Sequence, residues 1–194
     1  MCITATASPC LKSGMISVFI TNLGKYNEGE LVGEWLELPA TSKEIEYCLA
    51  RIGIDGIRYE EYFLTDYESS IDGLSSYISE YNALEELNEL ATQLAALSHD
   101  EMRLYQAAIE IGDSVSSIHD LINLTGNLAV IQRLDHVNNE YDLGYYWIQE
   151  SGCYDSAQFD GLAHYFDYER YGRDICIEQG GIFYGGGYVY HTDG

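Results

Sequence analysis

The segment from residue 16 to residue 39 constrains the fold more than any other part of the chain, because it combines a strand pattern with a dense set of carboxylates. Residues 16–21 and 31–38 are typical of two strands, and a turn rich in Gly and Asn separates them. Lys25 is the one basic residue of the segment, and four glutamates follow it. Two of them, Glu34 and Glu37, flank Trp35 in the second strand. The pattern predicts a strand pair with much uncompensated negative charge.

The same excess of acid extends over the whole chain. Its 194 residues include 9 Lys and Arg against 32 Asp and Glu, which gives a net charge of −23. Two exposed carboxylates ~7 Å apart in water repel by roughly 0.6 kcal/mol, so this charge opposes compaction. Hydrophobic residues nevertheless make up 46% of the chain, and 18 residues are Tyr, which suits half-buried surfaces, interfaces or a shallow core. A folded protein is therefore expected, and its charge reflects a solvated surface, a saline habitat or the function itself.

The common catalytic and binding motifs are absent from the sequence. It has no Walker loop, no nucleophile elbow and no H-E-x-x-H motif. The five Cys form no C-x-x-C pair and the five His are scattered, so we expect no metal, no cofactor and no enzyme activity. Nine basic residues cannot offset 32 acids, which argues against direct binding of nucleic acid. With no run near the ~20 apolar residues of a membrane helix and no signal peptide, we expect a cytoplasmic protein without membrane contact.

The order of the periodic segments predicts an α+β fold. After Pro39, Thr41 and Glu44 have the spacing of a capping box that starts a helix. Further caps are expected from Asn82 with Glu85 and from Ser98 with Glu101. Apolar periodicity predicts helices at 72–81, 84–97, 98–109, 115–126, 142–150 and 158–171, and strands at 57–66, 173–179, 182–184 and 188–191.

These elements predict three small domains in a row. Residues 1–14 form a mobile leader, and residues 15–68 form a β-β-α-β unit. Residues 69–126 form a helical bundle, and residues 127–194 form an α+β unit with a small antiparallel sheet.

Four blocks of the sequence resemble a known family when taken together and in order. They are residues 25–36 (K-Y-N-E-G…G-E-W-L), 142–146 (D-L-G-Y-Y), 165–174 (Y-F-D-Y-E-R-Y-G-R-D) and 187–190 (G-Y-V-Y). With the flanking strand residues they extend from residue 16 to residue 190. The combination resembles the ArdA-type antirestriction proteins, apart from the leader and the several Cys.

The resemblance implies a protein that mobile genetic elements such as conjugative transposons encode and produce on entering a bacterial host. Such proteins are elongated homodimers of three-domain subunits, have no catalytic activity and mimic bent duplex DNA. They occupy the DNA-binding cleft of type I restriction-modification enzymes, chiefly through the specificity and modification subunits. The residues alone leave open an acidic cytosolic enzyme or metal-binding protein with a carboxylate site, and a halophile's housekeeping protein.

The charge has the magnitude that such mimicry needs. DNA carries one negative charge per ~1.7 Å of its axis, so a dimer of this chain corresponds to roughly 80 Å of duplex. We expect exposed acids to stand in for the phosphates and to accept bidentate bonds from arginine. The predicted partner-binding acids are Glu28, Glu30, Glu34, Glu37, Glu44, Glu46, Glu60, Glu61, Asp66, Glu68, Glu80, Glu85, Glu86, Glu89, Glu101 and Glu110.

The resemblance also implies that dimers form through the C-terminal domain. The last matched blocks would then lie at or near the subunit interface. The predicted interface residues are Asp142, Leu143, Tyr145, Tyr146, Trp147, Tyr165 and Phe166.

Overall fold

The structure, a computed structural model, describes residues 15–112, 115–154 and 163–192. The predicted leader at 1–14 lies outside this range. Within it the protein is α+β, as the sequence predicts. The strands are β1 (Ile16–Asn22), β2 (Gly33–Leu38), β3 (Tyr62–Ser69), β4 (Ile131–Asp135), β5 (Ile182–Tyr184) and β6 (Gly187–His191). The helices are α1 (Leu23–Asn27), α2 (Ser42–Arg51), α3 (Leu84–Ala96), α4 (His99–Ile111), α5 (Ile118–Gly126), α6 (Glu140–Tyr145) and α7 (Tyr168–Gln179).

The described residues divide into two compact units. The first contains residues up to 97 together with 115–125, and the second contains residues 98–112 and those from 126 onward. The division into three domains stays a prediction.

The first unit is built on an antiparallel sheet in the order β2-β1-β3. Alternate residues of the central strand β1, Ile16, Val18 and Ile20, are fully buried. The next layer includes α3, whose leucines point inward and whose Asn88 side chain bonds both backbone groups of Ala40, at 2.7 and 3.1 Å. The helical period thus places one apolar stripe of α3 inside and leaves the opposite stripe in water.

The second unit contains an antiparallel sheet in the order β4-β6-β5, with α4, α6 and α7 packed nearby. Its core includes Val137, Leu143 and Tyr188, all buried. A turn of π-helix, Tyr146–Glu150, continues α6, so the helix predicted at 142–150 is confirmed with an earlier start.

Two of the three predicted helix caps are confirmed. The Thr41 hydroxyl accepts from the Glu44 N–H at 3.3 Å, and the Glu44 carboxylate accepts from the Thr41 N–H at 2.7 Å. Ser98 and Glu101 repeat the arrangement at the start of α4. The cap expected from Asn82 and Glu85 is wrong, because the Asn82 amide oxygen accepts from the Ser79 N–H at 2.6 Å and Ala83 occupies the cap position of α3.

Two predictions in the first unit need correction. Residues 57–61 are not strand, because the Asp55 carboxylate accepts the N–H groups of residues 57, 58 and 59 and holds them in a loop. The helix at 72–81 is reduced to a 3₁₀ turn, Leu74–Tyr77, since Gly73 has a left-handed backbone and Ile78 is extended. The turn expected after β1 contains the short helix α1, which the Asn22 side chain caps.

The C-terminal predictions also need correction. Residues 173–179 are helix rather than strand, because the Asp167 carboxylate caps the start of α7 and the helix continues to Gln179. The predicted helix at 158–171 lies partly outside the described residues, and in the described part a 3₁₀ turn, Ala163–Tyr165, precedes α7. The strand β4 was not predicted, and it pairs with β6 over its full length.

Candidate partner-binding surface

The sixteen predicted acids all lie at the surface, to different degrees. Thirteen are exposed, and Glu34, Glu37 and Glu68 are half-buried. Glu101 and Glu110 belong to the second unit, and the others belong to the first. Their role as partner contacts stays a prediction.

The two acids of β2 lie on opposite faces of the sheet, because side chains alternate along a strand. Glu37 pairs in register with Ser17 of β1, which pairs on its other side with Glu68 of β3. Phe19 and Trp35, in edge-to-face contact at 5.5 Å, lie on this same face. The outer face of the sheet therefore carries Glu37 and Glu68 on its two edge strands, and the Phe19–Trp35 pair lies beside this row on the same face.

Glu34 faces the other way and binds an arginine of the same chain. The Arg51 guanidinium on α2 donates two hydrogen bonds to the Glu34 carboxylate, the one from Nε at 2.8 Å. The same guanidinium lies over the Tyr47 ring, 4.3 Å from its centroid. Glu34 is therefore partly neutralised within the protein.

Glu28 has a similar arrangement. Tyr59 donates its hydroxyl to the Glu28 carboxylate at 2.8 Å, and Arg58 donates at 3.2 Å. These contacts, with the Tyr59 hydrogen bond the larger cause, lower the pKa of Glu28. Arg58 also lies over the Tyr59 ring at 4.9 Å. No sequence pattern indicates either arginine pair, since the partners lie 17 and 30 residues apart.

Two further acids have local structural partners. Glu44 and Glu101 close their capping boxes, and hydrogen bonds from Thr41 and Ser98 lower the pKa of each carboxyl. They remain exposed, so they carry charge at the helix N-termini, where it interacts favourably with the helix dipole.

The acids of α3 face water as the helical period predicts. Glu85, Glu86 and Glu89 are exposed, while Leu84, Leu87 and Leu90 between them are buried. Glu85 and Glu86 lie in the first turn, and Glu89 accepts from the Gln93 amide at 3.2 Å. This helix presents a short row of carboxylates on a rigid support.

The residues predicted for the dimer interface are not all at the surface. Leu143 is fully buried in its own unit, where Tyr146 and Trp147 pack against the same core. Asp142 accepts hydrogen bonds from Asn138 and Asn139 at 3.0 Å. Tyr145 is 41% exposed and Tyr165 is 86% exposed. The half-buried Phe166 packs on Tyr168 and Tyr171, with ring centroids 5.0 and 5.7 Å apart. Tyr145 and Tyr165 are therefore the most exposed of the seven, and the dimer interface stays a prediction.

The glycines of two matched blocks have a packing role that the sequence did not reveal. Gly144 of α6 and Gly172 of α7 lie where the two helices cross. A Cβ atom on Gly144 would overlap the Tyr168 carbonyl, and one on Gly172 would overlap the Glu140 carbonyl. The two helices therefore approach backbone to backbone.

No group of three or more His, Cys, Asp or Glu within residues 15–112, 115–154 and 163–192 is arranged to hold a metal ion. In the same ranges, every helix is too short or too polar to cross a lipid bilayer.

The fold and surface define an acidic α+β protein with carboxylates spread over both units. Residues 18–190 match the model of a family described as antirestriction protein (ArdA), and the chain belongs to that family. A search of curated proteins gave no match to the chain.

Proposed function

We propose that this antirestriction protein mimics bent duplex DNA and occupies the DNA-binding cleft of type I restriction-modification enzymes. Contact would be made with the specificity and modification subunits, and incoming mobile DNA would be protected from cleavage. The protein would act as an elongated homodimer in the cytoplasm of the bacterial host, without catalysis and without binding nucleic acid itself.

The observation that carries this proposal is the placement of the acids. All sixteen predicted acids are exposed or half-buried, and they lie on strands, helices and loops of both units. A catalytic or metal site would gather a few carboxylates in one place, whereas a phosphate mimic needs many at separate positions. Family membership supports the antirestriction role independently.

The energetics favour many small contributions. A carboxylate that accepts a bidentate bond from arginine resembles a phosphate in charge and geometry. Exposed ion pairs contribute only ~0.2–1 kcal/mol each, so tight binding would require many of them on a preorganised surface. Binding should weaken as salt rises, because salt screens exposed charges.

The test is cleavage of unmodified DNA by a purified type I enzyme in the presence of increasing protein. The proposal predicts that cleavage stops near one protein dimer per enzyme. Full cleavage at a large excess of the protein would contradict it. A type II endonuclease on the same DNA serves as the control and should cut normally.

A further inference from the structure

A groove of about 570 Å³ in the first unit is lined by aromatic side chains. It lies between α1, the start of β3 and the segment that precedes α3. Tyr26 and Phe63 form one wall, in edge-to-face contact at 5.3 Å. Tyr81 is 86% exposed and Tyr26 is 52% exposed. Aromatic surface left open around a cavity of this size is typical of a binding site.

Backbone hydrogen bonds hold the walls of this groove together. The Leu23 N–H of α1 donates to the Glu61 carbonyl at 3.1 Å, and the Leu64 N–H of β3 donates to the Glu80 carbonyl at 3.4 Å. Three segments that are distant in sequence are thus joined at this point. The groove is formed before any partner arrives.

The described residues that line the groove give it negative charge. Glu60, Glu61 and Glu80 are among them, and neither Lys nor Arg is. The four ion pairs between described residues do not use these three carboxylates. The groove therefore combines aromatic faces with carboxylates that lack a basic partner in the described part of the chain.

The protein uses the same combination elsewhere to bind its own arginines. Arg51 lies over Tyr47 and pairs with Glu34, while Arg58 lies over Tyr59 and pairs with Glu28. In both cases a guanidinium contacts one Tyr ring and one Glu carboxylate. The groove offers a Tyr ring and Glu carboxylates, and none of the described residues that line it is an arginine.

We propose that the groove binds an arginine side chain of the partner protein, with the guanidinium plane on a Tyr ring and its N–H groups on a carboxylate. A guanidinium suits the site better than an ammonium, because it is planar, less strongly hydrated and donates in a fixed fork. Proteins that bind DNA present such arginines to phosphates and base edges. The choice of partner rests on the proposed function, whereas the arginine binding rests on the groove.

The direct test is an NMR titration of the protein with Nα-acetyl-arginine amide. The control ligand is the citrulline analogue, which has the same shape without the charge. Backbone amide shifts should concentrate at Tyr26, Glu61 and Tyr81 with arginine and be absent with citrulline. Equal shifts with both ligands, or arginine shifts spread evenly over the acidic surface, would overturn the proposal.

Substitutions of Tyr81 test whether the guanidinium stacks on a tyrosine ring of the groove. Tyr81→Ala should weaken arginine binding about two- to fivefold, the range expected for an exposed cation–π contact, and Tyr81→Phe should keep it. Ile57 has the same 86% exposure and does not line the groove, so Ile57→Ala is the control and should leave arginine binding unchanged. Unchanged binding in Tyr81→Ala would contradict the proposal.

The cleavage assay separates this proposal from the proposed function. If the protein inhibits cleavage but does not bind arginine amide, the groove proposal fails and the proposed function stands. If arginine binds in the groove and cleavage proceeds at full rate, the groove proposal holds and the proposed function fails.

Discussion

Gly144 and Gly172 face each other where α6 crosses α7, and a Cβ atom on Gly144 would lie 3.0 Å from the backbone nitrogen of Gly172. Neither position has room for a side chain, and the contact on each side is backbone, which cannot rotate away. The backbone conformation does not require glycine at either position, because neither residue has a positive φ. Glycine is required because the two helices approach so closely.

We therefore predict that Gly144→Ala or Gly172→Ala destabilises the protein by about 1–3 kcal/mol, the usual effect of overpacking. The measurement is the free energy of unfolding in urea. Gly126→Ala is the control, since apart from its own helix and chain neighbours no atom of the described residues lies within 4 Å of the position that its Cβ would occupy. Its effect should stay within ~0.5 kcal/mol. A loss no larger than in the control would contradict the close packing.

The capping boxes give a second prediction. Ser98→Ala removes the hydroxyl that accepts from the Glu101 N–H, and should lower the free energy of unfolding by ~1 kcal/mol. Ser76→Ala is the control, because it removes an exposed hydroxyl that donates to the Gly73 carbonyl at 2.6 Å outside a capping box. Equal losses in the two variants would contradict a particular contribution of the box.

The loop before β3 predicts a pH dependence. The Asp55 carboxylate accepts from the Tyr59, Ile57 and Arg58 N–H groups at 3.0, 2.9 and 2.8 Å, and these bonds lower its pKa below the ordinary 3.8. A lowered folded pKa means that the stabilisation is complete above the unfolded pKa and is lost as pH falls through the folded value.

Asp55→Asn should accordingly be less stable than the unaltered protein at neutral pH, and the difference should vanish in strong acid. Asp72→Asn removes an exposed carboxylate outside this loop and controls for the change in net charge. Urea unfolding across a pH series measures both variants. A difference that persists below the folded pKa of Asp55, or that Asp72→Asn reproduces, would contradict the assignment.

Some interactions within one turn of chain could be predicted from the sequence, and distant ones could not. Thr41 with Glu44 have the spacing of a capping box and form one, but Asn82 and Glu85 have the same spacing and form none, because Asn82 binds Ser79 instead. Arg51 and Glu34 meet only after α2 folds onto β2, and Gly144 meets Gly172 only through the α6–α7 crossing. The strand β4 was missed because its partner β6 lies far along the chain, as the pairing of Ile131 with His191 shows.

The same distinction applies to the surface. Helical period alone predicts that Glu85, Glu86 and Glu89 face water. The four glutamates of residues 28–37 are all exposed or half-buried, but their surroundings, which depend on distant residues, differ: Glu28 and Glu34 bind Arg58 and Arg51, and Glu37 lies on the outer face of the sheet.

The dispersal of charge predicts how inhibition responds to substitution. Glu86→Gln alone should change the inhibitory concentration less than about fivefold, because one exposed pair contributes under ~1 kcal/mol. The triple change of Glu85, Glu86 and Glu89 to Gln should weaken inhibition more, and raising salt should reduce the difference. The cleavage assay measures both. A single acid whose loss abolishes inhibition would contradict a distributed mimic.

The central claim is that the protein and DNA occupy the same cleft, and an equilibrium competition tests it directly. A fluorescent duplex bound to the specificity and modification subunits is titrated with the protein, and anisotropy reports release of the DNA. Mimicry predicts complete release of the fluorescent duplex. It also predicts that the protein concentration needed for half-maximal release rises as unlabelled duplex is added as a competitor. A complex that holds protein and DNA together, with the DNA affinity unchanged, would contradict it.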